Sequence, residues 1–184
     1  MTKGLDFTAE DIELMLANLD AFSEAEALEI DRMVDELNNR TANASAYDDL
    51  IEFCKLMMPE FIVGKHHRIL ADMLMAIERG EKDRICVNIP PRHGKSQLVS
   101  IFYPAWFLGR NPNKKVMMVS HTTDLAVDFG RKVRNLIASD DYRAIFPTVR
   151  LAQDSKSAGR WNTNVGGEYY ACGIGSALAG RGAD

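Results

Sequence analysis

Arg92-His93-Gly94-Lys95-Ser96 is the stretch whose residue types and spacing could do chemistry. A glycine, a lysine and a hydroxyl in this order suit a loop that cradles phosphates. In such a loop the backbone N–H groups of the turn and the first helical turn converge on an anion, and the helix dipole adds to the attraction. Gly94 lets the backbone approach the phosphates, Lys95 can reach the β and γ oxygens, and Ser96 can hold Mg2+ by its hydroxyl. The full spacing G-x-x-x-x-G-K-[ST] would put its first glycine at position 89, where this chain has Ile89. Pro90 and Pro91 supply no N–H and fix φ, so an anion nest must be built from Arg92 onward. A plain helix start with a serine near its N-terminus would carry the same triplet, but the flanking pattern favours the phosphate loop.

That pattern is an apolar run (Ile85, Val87, Ile89), a Pro-rich turn and then a helical run from Gln97 to Phe102, which reads as strand, loop and helix. Pro104 is expected to kink or end this helix near Tyr103. Val116 to Ser120 reads as a second, buried parallel strand, and Thr122-Thr123-Asp124 as the cap of a helix with Leu125, Ala126, Phe129, Val133, Leu136 and Ile137 inward. Arg160 to Val165 and Glu168 to Cys172 read as a hairpin joined by Gly166-Gly167. Upstream, a helix is expected from Ser45 or Ala46 to Met58, stopped by Pro59. Another is expected from about His66 to Arg79, with Ile69, Leu70, Met73, Leu74 and Ile77 inward and Gly80 as C-cap. Strands separated by helices of this size imply an α/β sheet of right-handed crossover units.

Residues 1–40 carry eleven acids against Lys3, Arg32 and Arg40, a balance of −8, so the remaining 144 residues carry +4 of the total −4. Two capping patterns, Thr8 to Asp11 and Ser23 to Glu26, each open a helical stretch, and Asn38 to Asn43 reads as a polar break. The expected organisation is an acidic helical appendage over residues 1–44 and a mildly basic body over 45–184. Such a body suits an anionic partner, whereas the acidic head repels DNA. Cys54, Cys86 and Cys172 lack C-x-x-C spacing and read as reduced thiols, neither a disulfide framework nor a zinc site. No apolar run approaches the ~20 residues that span a bilayer, and the acidic N-terminus does not resemble a signal peptide.

Taken together, several groups of residues resemble the large terminase subunit of tailed double-stranded DNA phages, in its ATPase half. The resemblance runs from near His66 to the C-terminus. It rests on Arg84 to Ser96, Pro104 to Pro112, Leu125-Ala126 with Arg131 and Arg134, Phe146-Pro147, Arg150-Leu151, Trp161 to Thr163, Gly166-Gly167, Tyr170-Ala171 and Gly180 to Asp184. It implies a P-loop NTPase with a mostly parallel sheet flanked by helices, acting as a motor that hydrolyses ATP with Mg2+ to drive double-stranded DNA into a procapsid. It also implies a following nuclease domain that cuts concatemeric DNA. The implied partners are the small terminase subunit, the portal protein and further copies in a homo-oligomeric ring, in the cytoplasm of a bacterial host.

Carried over residue by residue, the nucleotide set is Arg92, His93, Gly94, Lys95, Ser96 and Gln97, with Ser96 on the metal and His66 where the family often touches adenine. Arg92 matches a basic side chain near the γ-phosphate. Arg181, between glycines, matches a position that serves as an arginine finger on a neighbouring subunit, neutralising charge on the transferred phosphoryl group. One departure is plain: after residue 96 no apolar run ends in Asp or Glu, the acid this chemistry needs for Mg2+. In the family that strand begins just after Gly-Arg-Gly-Ala-Asp, so the expectation is a truncated domain, poorly active alone. The alternatives are a non-catalytic interaction module on a degenerate nucleotide fold, which Ile89 and the missing acid favour, and a P-loop kinase, for which neither an acceptor-binding acid nor a lid arginine cluster is visible. Arg131, Lys132 and Arg134 could meet DNA phosphates, or be a solvated basic face.

Overall fold

A computed structural model describes residues 14–15, 17, 22–153, 157–175 and 182–184. Internal contacts divide the chain into two units, Met1–Ala44 and Ser45–Asp184. The division falls within helix α1 (Glu24–Asp48). Its start follows the capping pattern: the Ser23 N–H and hydroxyl donate to Glu26 Oε2 at 2.9 and 2.7 Å. The break expected at Asn38 to Asn43 is absent, and the helix runs through it. Asn and Thr each cost well under about 1 kcal/mol relative to Ala inside a helix, and no Gly or Pro intervenes. Thr41 also turns its hydroxyl onto Leu37 O, and Arg40 pairs with Glu36 one turn back. The helical stretch expected after Thr8 lies largely outside the described residues.

In the second unit, α2 (Leu50–Met57) starts later than expected because Asp49 caps it, accepting from the Ile51 and Glu52 N–H groups at 2.7 and 2.9 Å. α3 (Lys65–Glu78) closes at Gly80, whose φ of +75° is the left-handed turn a glycine supplies most cheaply. Its inward stripe is rotated from the expected one: Leu70, Ala71, Leu74 and Met75 are buried, while Ile69 is 62% exposed.

After the loop through Pro90, Pro91 and Gly94 come α4 (Lys95–Gln97), a π-helical turn (Leu98–Phe102) and α5 (Tyr103–Arg110) as one continuous helical run. The helix therefore passes through Pro104 instead of ending there. A proline lacks its N–H and crowds the carbonyl four residues back; one π turn, closed by Tyr103 N–H donating to Leu98 O, accommodates that defect. The core gathers on this run. Phe53 of α2 meets Phe102, Tyr142 and Phe146 with ring centroids 6.0–6.3 Å apart. The buried Trp106 donates Nε1–H towards Ala46 O and Tyr47 O, both at 3.1 Å.

β1 (Lys115–Ser120) is followed by α6 (Thr123–Ala138), α7 (Asp140–Ile145), β2 (Arg160–Asn162) and β3 (Glu168–Gly173). Thr122 caps α6 by accepting from Leu125 N–H. Ala126, Val133 and Ile137 of that helix are buried, whereas Leu125 is on the exposed side. The hairpin forms where expected, Arg160–Asn162 antiparallel to Tyr170–Glu168. β1 pairs with β3 in parallel, Lys115 opposite Glu168, giving the order β1-β3-β2. The sheet is thus small and mixed, one parallel and one antiparallel ladder, instead of mostly parallel.

The strand expected at Ile85 to Ile89 is also different. Residues 84–90 have no assigned secondary structure and alternate in exposure, with Ile85, Val87 and Ile89 packed on the core, and they form no ladder with any described strand. Alternation dictates a face; a strand also needs a neighbour's backbone groups along its edge. Among the described residues no helix is long and apolar enough to cross a membrane.

Candidate phosphate-binding site

The loop from Ile89 to Gln97 surrounds a concavity of about 410 Å3. Pro90 and Pro91 bring the chain in without donors. Arg92 and Gly94 then both adopt left-handed backbone, φ 64° and 72°, on either side of His93. A non-glycine residue there costs of order 1–3 kcal/mol and persists where its surroundings impose it. The double reversal delivers Gly94 as the N-cap of the helical run. Leu98 N–H is the first to fold back, donating to Gly94 O at 3.0 Å. The N–H groups of Gly94, Lys95, Ser96 and Gln97 have no acceptor among the described residues. Such a row at a helix start attracts anions.

Lys95 bends back over the loop, its Nζ 3.4 Å from Ile89 O. That long contact to a neutral carbonyl is one a phosphate oxygen would readily displace. Arg92 is exposed beside it, so the concavity holds two side-chain cations. The hydroxyl of Ser96 faces solvent without a described protein partner. Gln97 is engaged elsewhere, its Nε2 lying 3.7 Å from Met58 Sδ. Among the described residues no cluster of three His, Cys, Asp or Glu side chains is arranged to hold a metal ion. The residues present therefore fit a phosphate group well, and offer Mg2+ the Ser96 hydroxyl.

The N-terminus of α3 backs the loop with two histidines. His67 is buried and sits under Gly94; His66 is half-buried beside it. His67 Nδ1 accepts from Gly64 N–H at 3.0 Å, while its Nε2 lies 3.0 Å from His93 O. His66 Nε2 is 3.2 Å from the same carbonyl and 3.1 Å from His67 Nε2. The His93 ring turns the other way, Nδ1 2.8 Å from Pro91 O. Burial holds the His67 imidazole below its ordinary value, and the nearby His66 and His93 act in the same direction, although the His93 carbonyl opposes them.

His66 thus lies against the loop through the His93 carbonyl, but His67, which the motif does not include, is the more deeply engaged. Its signal was legible: residue 67 shares the inward face of α3 with Leu70, Ala71 and Leu74, and a buried histidine there must find polar partners. Arg181 lies outside the described residues. Arg131 and Lys132 both pair with Asp128 on their own helix, at 3.3 and 2.8 Å. No protein-family model, curated protein or solved structure matches the chain.

Proposed function

We propose that the second unit is the ATP-binding part of a viral DNA-packaging motor of the large-terminase kind, coupling ATP hydrolysis to the movement of double-stranded DNA into procapsids. The observation that carries the nucleotide half of this reading is the row of N–H groups from Gly94 to Gln97, without acceptors among the described residues and capped by the Lys95 ammonium. The motor half rests on the ordered residue groups from Arg84 to Asp184. In this reading Gly94, Lys95 and Ser96 hold the phosphates and Mg2+, Arg92 and Arg181 neutralise charge on the transferred group, and His93, Gln97 and His66 complete the pocket. Small terminase subunit, portal protein and further copies in a ring are the proposed partners, and cleavage of concatemeric DNA the proposed second activity of the whole protein.

Titration of the chain with Mg·ATP, followed calorimetrically beside Lys95→Ala, tests the nucleotide half. Saturable binding that pyrophosphate competes away and Lys95→Ala weakens about ten- to a hundredfold is the expected result. Equal heats for both proteins would sink it. Ile89 in the place of a first glycine favours a second reading, a nucleotide fold kept for protein interaction alone, and that reading would then take over.

A further inference from the structure

We infer that His67 is a positioning residue of the phosphate loop: it holds the His93 carbonyl and the underside of Gly94, and so sets the direction of the N–H row. The inference deepens the nucleotide-binding reading and rests on it. The tautomer follows from the bonding. Gly64 N–H can only donate, so His67 Nδ1 must present its lone pair, and in the neutral ring the proton is on Nε2. That Nε2–H has two neighbours, His93 O at 3.0 Å and His66 Nε2 at 3.1 Å, and the carbonyl is the nearer and the better acceptor. One ring therefore ties the N-cap of α3 to the residue between the two left-handed positions.

The contact is steric as well as polar. A Cβ added to Gly94 would run into His67 Nε2, so glycine is required there by the ring as much as by its φ of 72°. Phe61 presses on the ring from another direction, with centroids 4.9 Å apart, and limits the imidazole's freedom to swing. The same bonding argues against a metal between His66 and His67, because coordination through Nε2 would need the proton on Nδ1, opposite Gly64 N–H.

Two substitutions separate the two ends of the ring. His67→Asn puts an acceptor near the Nδ1 position, keeping the bond to Gly64 while losing His93. His67→Gln puts a donor near the Nε2 position, keeping the bond to His93 while losing the cap. Both are measured on the full chain after thermal melts establish that they fold. Expected is a fall in Mg·ATP affinity of about tenfold for His67→Asn, the scale of one positioned hydrogen bond, and near wild-type affinity for His67→Gln. Trypsin without nucleotide gives a readout independent of ATP. The Arg92–His93 bond, held in left-handed backbone, should be cut several-fold faster in His67→Asn than in wild type or His67→Gln. The reverse ranking, or equal cleavage in all three, overturns the inference. If wild type binds no ATP, the nucleotide reading fails by itself, and the cleavage ranking still decides whether His67 holds the loop.

Discussion

Two parts of the second unit handle polar groups in opposite ways. Around Trp106 the polar groups of the core are spoken for. The indole donates to the carbonyls ending α1, Tyr142 donates its hydroxyl to Ala105 O at 2.9 Å, and Arg110 lies between the Tyr47 and Trp106 rings with Glu78 as its 3.0 Å partner. At the loop from Arg92 to Gln97 a run of N–H groups has no acceptor among the described residues, two residues hold left-handed backbone, and a lysine rests on a distant carbonyl. The first arrangement lowers the energy of the fold; the second leaves donors at a helix start available to an anion. Bonded and unbonded polar groups thus sit on different residues, although one continuous helical run carries both.

The largest expected effect breaks the first region. Trp106→Ala removes a buried indole and its hydrogen bonds, and should cost about 3–5 kcal/mol, seen as a lowered denaturant midpoint with an unchanged slope. Gly94→Ala attacks the boundary between the regions, since it combines left-handed backbone with intrusion on His67. A loss of about 1–3 kcal/mol in melting experiments is expected, together with loss of ATP binding. Lys95→Ala should sharpen the contrast. Thermal stability should stay within about 0.5 kcal/mol of wild type while Mg·ATP affinity falls ten- to a hundredfold. A matching loss of stability would show that the two regions are not separable.

Acid is a gentler probe. The His67 pKa lies below the ordinary 6.5, so between the two values the unfolded chain holds more proton than the folded one. The contribution from neutral His67 is fully present above pH 6.5 and is lost as pH falls through the folded value. A melting temperature that declines more steeply below that point in wild type than in His67→Gln is expected. The smallest effect should come from Arg131→Ala, which removes an exposed pair with Asp128 worth at most about 1 kcal/mol. A much larger change in melting would mean that this helix face is structural.

Much of the loop is legible in the sequence. Gly94, Lys95 and Ser96 stand together where a non-helical segment passes into a helix, as their order suggested. Caps at Ser23, Thr122 and Gly80, and the hairpin through Gly166-Gly167, follow from residue type alone. What escaped were features that depend on a distant neighbour. Ile85, Val87 and Ile89 show strand alternation, but no described strand lies along their edge. Pro104 is carried inside a continuous helical run by a π turn, with the buried Phe102 and Trp106 on either side of it. His67 falls on the inward face of α3 by its spacing, but the partners at its two nitrogens, Gly64 and His93, come only from the fold.

Local chemistry therefore belongs to the sequence: which residues cap, turn, alternate and offer an anion a lysine and a hydroxyl. Periodicity and side-chain type act within a turn or two of chain, where backbone geometry leaves few choices. Tertiary structure decided the rest. It set the order β1-β3-β2, the pairing of His67 with a residue 26 positions away, and the left-handed backbone imposed on Arg92. These depend on which distant groups can satisfy one another once water is excluded, and no short window of sequence contains both partners.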